Sequence, residues 1–109
     1  MHIFQLPGTT LRYKIDGYWH YGILVHSGYV IHNSKLHGRV IKESYWDFAA
    51  GKNVEPYHCI SSVNLELACQ SAHPYLGMAY SLFTKNCEHF VRIAHGLIPE
   101  SPQIQKAVI

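Results

Sequence analysis

Between Leu11 and Lys42 the chain carries short runs rich in β-branched and aromatic residues: Leu11 to Ile15, Trp19 to Val25, Tyr29 to His32 and Arg39 to Lys42. Gly, Ser and Asn separate them. Runs of this length and spacing read as strands joined by tight turns, so the first half is expected to form an antiparallel meander. After residue 64 the period changes. Leu65, Ala68, Cys69 and Ala72 recur at i, i+3, i+4 and i+7, the spacing of one helix face, and Pro74 closes the segment. A strand-rich half followed by a helical half predicts an α+β fold, a small antiparallel sheet with helices packed on one side. With 109 residues, 48% of them hydrophobic and 15% charged, the chain can bury one modest core. A single domain over residues 1–109 is expected.

The boundaries carry capping signals. Ser44 caps a short helix over Tyr45 to Ala50, with Asp47 at the capping-box position and Gly51 as its stop. A further strand near Val54 to Cys59 would be confined to an edge by Pro56. Asn86 caps a helix from Cys87 to about His95, ended by Gly96, and Ser101 with Pro102 starts a short terminal helix.

Charge and cysteine usage narrow the function classes. The net charge of +2 comes from Lys and Arg scattered among acids, which gives no footprint for nucleic acid or an anionic membrane surface. The three cysteines, at 59, 69 and 87, lack the spacings of a disulfide framework or a zinc ribbon. No signal-peptide pattern or run of roughly 18 apolar residues is present. A soluble, cytoplasmic protein without cofactor, metal or stable membrane insertion is expected. The nine histidines are the compositional oddity.

Cys87 shares a helix face with Phe90, Val91 and Ala94, so its thiol points inward. It also occupies the first turn, where unpaired N–H groups and the helix dipole favour a thiolate. A base would come from the sheet. A two-residue Ser27-Gly28 turn would send His20 and His32 to opposite faces. A three-residue His26-Ser27-Gly28 loop with Gly28 left-handed, a type I turn plus bulge, instead pairs Val25 with Tyr29 and Gly22 with His32. The two histidines then share a face as diagonal neighbours roughly 7–8 Å apart at Cα. The face carrying His20, Gly22, Leu24, Val30 and His32 is expected to be the one the Cys87 helix covers, so that thiol, imidazole and second imidazole stand in the order nucleophile, base and orienter, small Gly22 leaves room between them, and the Cys87 N–H helps hold an oxyanion.

The bland readings run alongside. Cysteine is among the most buried residue types, so an inert core Cys87 answers the same pattern, as it does for Cys69. His26 reads as a solvated loop residue and a spare base. His2, His37, His58, His73 and His95 read as surface residues. Cys87 and His89 point about 200° apart on a helix, which disfavours a shared metal. Glu88 reads as a charge favouring the helix N-terminus, and Tyr18 as a packing residue with a minor claim as an oxyanion donor.

Three stretches carry a resemblance: Tyr18-Trp19-His20-Tyr21-Gly22-Ile23, Gly28-Tyr29-Val30-Ile31-His32 and Asn86-Cys87-Glu88-His89-Phe90-Val91. In this order they resemble the lecithin:retinol acyltransferase-like proteins, a circularly permuted branch of the NlpC-like and papain-like thiol enzymes. Pro7-Gly8 and the stretch from Gly96 to Gln103 extend the likeness over nearly the whole chain. The resemblance implies a permuted papain-like fold and thiol acyl chemistry, with Cys87 as nucleophile, His20 as general base and His32 as third member. It implies an acyl donor of ester or lipid type, transferred to water, an amine or an alcohol. Thr9 stands where many members have an aspartate, and the protein is expected to lack their hydrophobic anchoring tail. A cysteine peptidase or amidase, acting for example on cell-wall peptides, and a non-catalytic interaction module are the alternatives.

Overall fold

The computed structural model describes residues 5–107, so His2 lies outside the described residues. Strands β1 (Thr10–Ile15), β2 (Tyr18–Val25), β3 (Tyr29–Ser34) and β4 (Arg39–Ser44) form the meander. The two-residue β5 (Glu55–Pro56) adds to the outer edge of β1, where a proline costs no ladder bond. All pairings are antiparallel, and the sheet order is β4-β3-β2-β1-β5. The helices are α1 (Tyr45–Ala49), α2 (Leu65–Ala72), α3 (Cys87–Ala94) and α4 (Pro102–Ala107). The fold is therefore α+β, as the sequence indicates.

Local chemistry explains most boundaries. The Ser44 side chain accepts from Asp47 N at 3.1 Å and opens α1, but the helix ends one residue early, on a left-handed Ala50. Asn64 Oδ1 accepts from Leu67 N and opens α2; its 3-10 continuation, His73–Tyr75, contains Pro74. Gly8 is obligatory: it has φ +98°, and a Cβ there would collide with the backbone carbonyl of Leu65.

The β2–β3 loop has three residues and pairs Val25 with Tyr29, the register that brings His20 and His32 to one face. Its conformation differs from a type I turn plus bulge, because Ser27 as well as Gly28 has positive φ, 66° and 76°.

Alternation along the strands sends side chains to two separate clusters. Tyr21, Ile23, Val25, Ile31 and Val40 pack against Cys69 and Ala72 of α2 and against Phe90, Val91 and Ala94 of α3. Leu11, Leu24 and Val30 pack against Tyr45, Phe48 and Ala49 of α1 on the opposite face. This corrects two expectations. Helices cover both faces of the sheet, and α3 lies on the face opposite to the one bearing His20 and His32. The reason is visible in β2, where Tyr21, Ile23 and Val25 make a continuous apolar stripe, whereas His20, Gly22 and Leu24 do not. Among the described residues no helix is long and apolar enough to cross a membrane.

Candidate active site

The β2–β3 ladder stops at Ile23 and Ile31. Beyond that pair, the strand partners of Tyr18 to Gly22 lie in β1 and those of His32 to Ser34 in β4. The two strands fork, and the start of α3 fills the opening. Asn33 Nδ2 donates to the carbonyl of Lys85 on one side of the fork. On the other, the Cys87 thiol faces the Trp19 carbonyl at 3.9 Å, and the Tyr21 N–H donates to its sulfur. Gln103 of α4 pins the same free edge, accepting from Trp19 N and donating to Trp19 O, each at 2.9 Å.

The start of α3 is held rigidly. Asn86 Oδ1 accepts from Glu88 N and His89 N at 2.9 and 3.0 Å, and Asn86 N donates to His89 Nδ1 at 3.1 Å, a reciprocal capping box. The Asn86 amide also donates to Leu82 O and to Ser101 Oγ, while Ser101 Oγ donates to Glu88 Oε1 at 2.7 Å. Glu88 and His89 are both buried, and Glu88 lies in the first turn of α3. Ser101 turns its hydroxyl to Glu88 and so ties α4 to α3.

His20 and His32 come together on the α1 face. His20 Nε2 stands 2.8 Å from His32 Nδ1, and His32 Nε2 stands 2.7 Å from Glu43 Oε1 on β4. Register explains the third member: His32 pairs with Ile41, which makes Glu43 a diagonal neighbour on the same face. The His20 ring lies between Tyr13 and Phe48, with centroids 5.2 and 5.6 Å away. Phe48 also meets the His32 ring edge-on at 5.0 Å. The space at Gly22 belongs to this aromatic packing and is not a gap between thiol and imidazoles, because a Cβ there would stand 2.8 Å from Phe48 Cε1.

Although α3 covers the other face, Cys87 opens through the fork into a cavity of about 760 Å³ whose wall includes His20, His32 and Glu43. Tyr13 and Tyr80 share that wall. Burial raises both phenol pKa values, and the nearby Cys87 thiolate charge would raise them further. Tyr18 lines the rim.

The electrostatics oppose a preformed ion pair. Burial pushes the Cys87 thiol up to about 11, with Glu88 adding to the rise; the N–H groups of Tyr21, Glu88 and Cys87 pull the other way and are outweighed. Burial takes His20 down to about 3, helped by neighbouring His32, and His32 down to about 4, helped by His37. At neutral pH the thiol and both imidazoles are uncharged, so the lowered thiol pKa expected at a helix start is corrected here: desolvation exceeds the dipole.

Of the other histidines placed on the surface by sequence reasoning, His37 and His58 are exposed and His73 is half-buried, whereas His95 proves structural. His95 is buried, accepting from Ser62 N at Nδ1 and meeting Thr10 Oγ1 at Nε2, 3.0 Å in each case. His73 Nδ1 donates to the Cys69 carbonyl, and His37 engages Ser34 Oγ. Cys69 is buried and Cys59 exposed.

No curated protein matches the chain. A family model described as lecithin retinol acyltransferase matches residues 5–96, which takes in every strand of the fork, the hairpin that joins its arms and all of α3. The chain therefore belongs to the lecithin retinol acyltransferase family, and its chemistry is of the acyl-transfer type.

Proposed function

We propose that the protein is a thiol hydrolase or acyltransferase that forms an acyl-enzyme on Cys87 from an ester or lipid-type donor. The observation that carries this reading is the hydrogen-bonded line from His20 through His32 to Glu43 in the wall of the cavity onto which Cys87 opens.

The line sets the protons. With Glu43 ionised, its carboxylate only accepts, so His32 donates from Nε2 and carries a lone pair on Nδ1. His20 must then donate from Nε2, which leaves its own Nδ1 unprotonated and free to act as the base. On attack, the Cys87 proton passes to His20 Nδ1 as sulfur bonds to the acyl carbon, so the thiolate exists only as the reaction begins. The Cys87 N–H and a phenol from Tyr13 or Tyr80 stabilise the oxyanion. Collapse expels the alcohol, which takes the proton back from His20. Water, an amine or an alcohol, deprotonated by the same nitrogen, releases the acyl group and restores the thiol.

The cavity favours an acyl chain as the bound group, since Ile15, Leu36, Phe48, Leu82 and Ile104 contribute apolar wall. Turnover of an aliphatic ester, a diacyl phospholipid dispersion and a peptide amide by wild type and Cys87→Ala tests the reading. Release of acyl product from the first two, lost in Cys87→Ala, is expected. Cleavage of the amide alone would replace the reading with an amidase, and no turnover of any of them would favour an interaction module.

A further inference from the structure

Away from the catalytic cavity, the tip of the β2–β3 hairpin meets the first turns of α2. His26 Nε2 lies 3.0 Å from each carboxylate oxygen of Glu66. Glu66 and Cys69 are three residues apart on α2 and so share a face. The Cys69 sulfur completes a group in which one nitrogen, one oxygen and one sulfur donor all lie within 4.8 Å of one another. None of the three lines the cavity used by Cys87.

We propose that His26, Glu66 and Cys69 form a binding site for a divalent metal ion of zinc type, which clamps the hairpin tip to α2. The donor set selects the class of ion: a thiolate with an imidazole and a single carboxylate suits zinc, whereas calcium and magnesium require oxygen ligands. Zinc to nitrogen is about 2.0–2.1 Å and zinc to sulfur about 2.3 Å, so the donors must draw together slightly. His26 and Glu66 are exposed and free to do so, while Cys69 presents its sulfur from the buried side. Burial, with the Glu66 charge beside it, keeps the proton on Cys69 in the metal-free protein, and the backbone N–H of His26 and the charge of Lys42 only partly oppose this.

Binding is balanced by one proton. The thiol releases its hydrogen to solvent as sulfur bonds to the metal, and the His26 proton moves from Nε2 to Nδ1, so that Nε2 and a Glu66 oxygen offer lone pairs. Two charges on the ion meet one on the thiolate and one on the carboxylate. Three protein ligands leave the fourth tetrahedral position to water, an arrangement that makes the ion exchangeable.

Titration with Co²⁺, followed in the near ultraviolet, tests the site. Wild type should develop a thiolate-to-cobalt charge-transfer band that saturates at one ion per chain and disappears on adding Zn²⁺. His26→Ala and Glu66→Gln alter exposed side chains and should keep the fold, yet weaken binding at least about tenfold, as loss of one ligand requires. Cys87→Ala should bind as wild type does, which separates this site from the catalytic thiol. With Zn²⁺ at a hundredfold excess over Kd, Tm should rise by roughly 10 °C in wild type and not in His26→Ala. Absence of the band, its persistence in both His26→Ala and Glu66→Gln, or its loss in Cys87→Ala would overturn the proposal.

Discussion

His20 Nε2 and His32 Nδ1 stand 2.8 Å apart, and this one contact decides which nitrogen of His20 is left for chemistry. Because His32 is in turn held by Glu43 at 2.7 Å, the protonation pattern of both rings is set by a carboxylate on the neighbouring strand.

Replacing that carboxylate tests the pattern. In Glu43→Gln the amide can donate as well as accept, so the preference for one tautomer is lost while the packing is nearly kept. A hydrogen bond to a charged group contributes about 1.5–3 kcal/mol, which corresponds to a roughly 10–100-fold slower acylation. KM should hardly move, because Glu43 acts through His32. Glu43→Asp, with the charge retained, should recover part of the rate. A Glu43→Gln enzyme with unchanged kcat would remove Glu43 from the mechanism.

Acid should harm the fold before it harms the base. The folded pKa values of His20 and His32 lie near 3 and 4, below the unfolded value of 6.5. Between these limits the unfolded chain binds more protons, so stability is complete above pH 6.5 and declines as pH falls toward 4. The decline is on the order of a few kcal/mol. Denaturation midpoints across this range should fall in wild type and fall less in His20→Ala. The acylation rate of the fraction still folded should show no limb at the ordinary imidazole value; its acid limb should follow protonation of Glu43, whose carboxyl pKa burial holds above its ordinary range. An activity limb near pH 6.5 with no change in stability would contradict the depressed values.

The aromatic packing around the histidines gives a third test. In Gly22→Ala the new methyl would stand 2.7 Å from Val30 Cγ1 and 2.8 Å from Phe48 Cε1. Overpacking of this kind costs about 1–3 kcal/mol, and the relief available is to push Phe48 off the histidine rings. Urea denaturation should show the loss, together with a reduced kcat. A variant as stable and as active as wild type would mean that Phe48 has freedom its contacts do not suggest.

Much of this arrangement is legible in the sequence, and the exceptions share a cause. Strand runs, caps and the three-residue hairpin loop are local, so Ser44, Asn86 and the pairing of Val25 with Tyr29 follow from neighbouring residues. That pairing brings His20 and His32 to one face. The face that α3 covers is a tertiary choice. A strand offers two alternating sets, and only comparing the apolar stripe of Tyr21, Ile23 and Val25 with the broken one of His20, Gly22 and Leu24 points to the answer. The fork, through which Cys87 reaches the histidines from the far side, has no sequence signal. Glu43 had one: counting the β3–β4 register from the turn after Ser34 places it diagonal to His32. Burial of the thiol, of Glu88 and of His95 depends on elements far along the chain, so neither the raised Cys87 pKa nor the structural role of His95 could be read locally.

The nucleophile itself can be identified by mass. Wild type, His20→Ala and Cys87→Ala are incubated with an activated short-chain ester, quenched in acid, weighed intact and then mapped by peptide. Wild type should gain the mass of one acyl group on the peptide bearing Cys87, and Cys87→Ala should gain none there. His20→Ala should acquire the group roughly 10²–10⁴-fold more slowly, the contribution typical of a positioned general base. Acyl groups found only on exposed Cys59, or ester turnover undiminished in Cys87→Ala, would show that Cys87 is not the nucleophile.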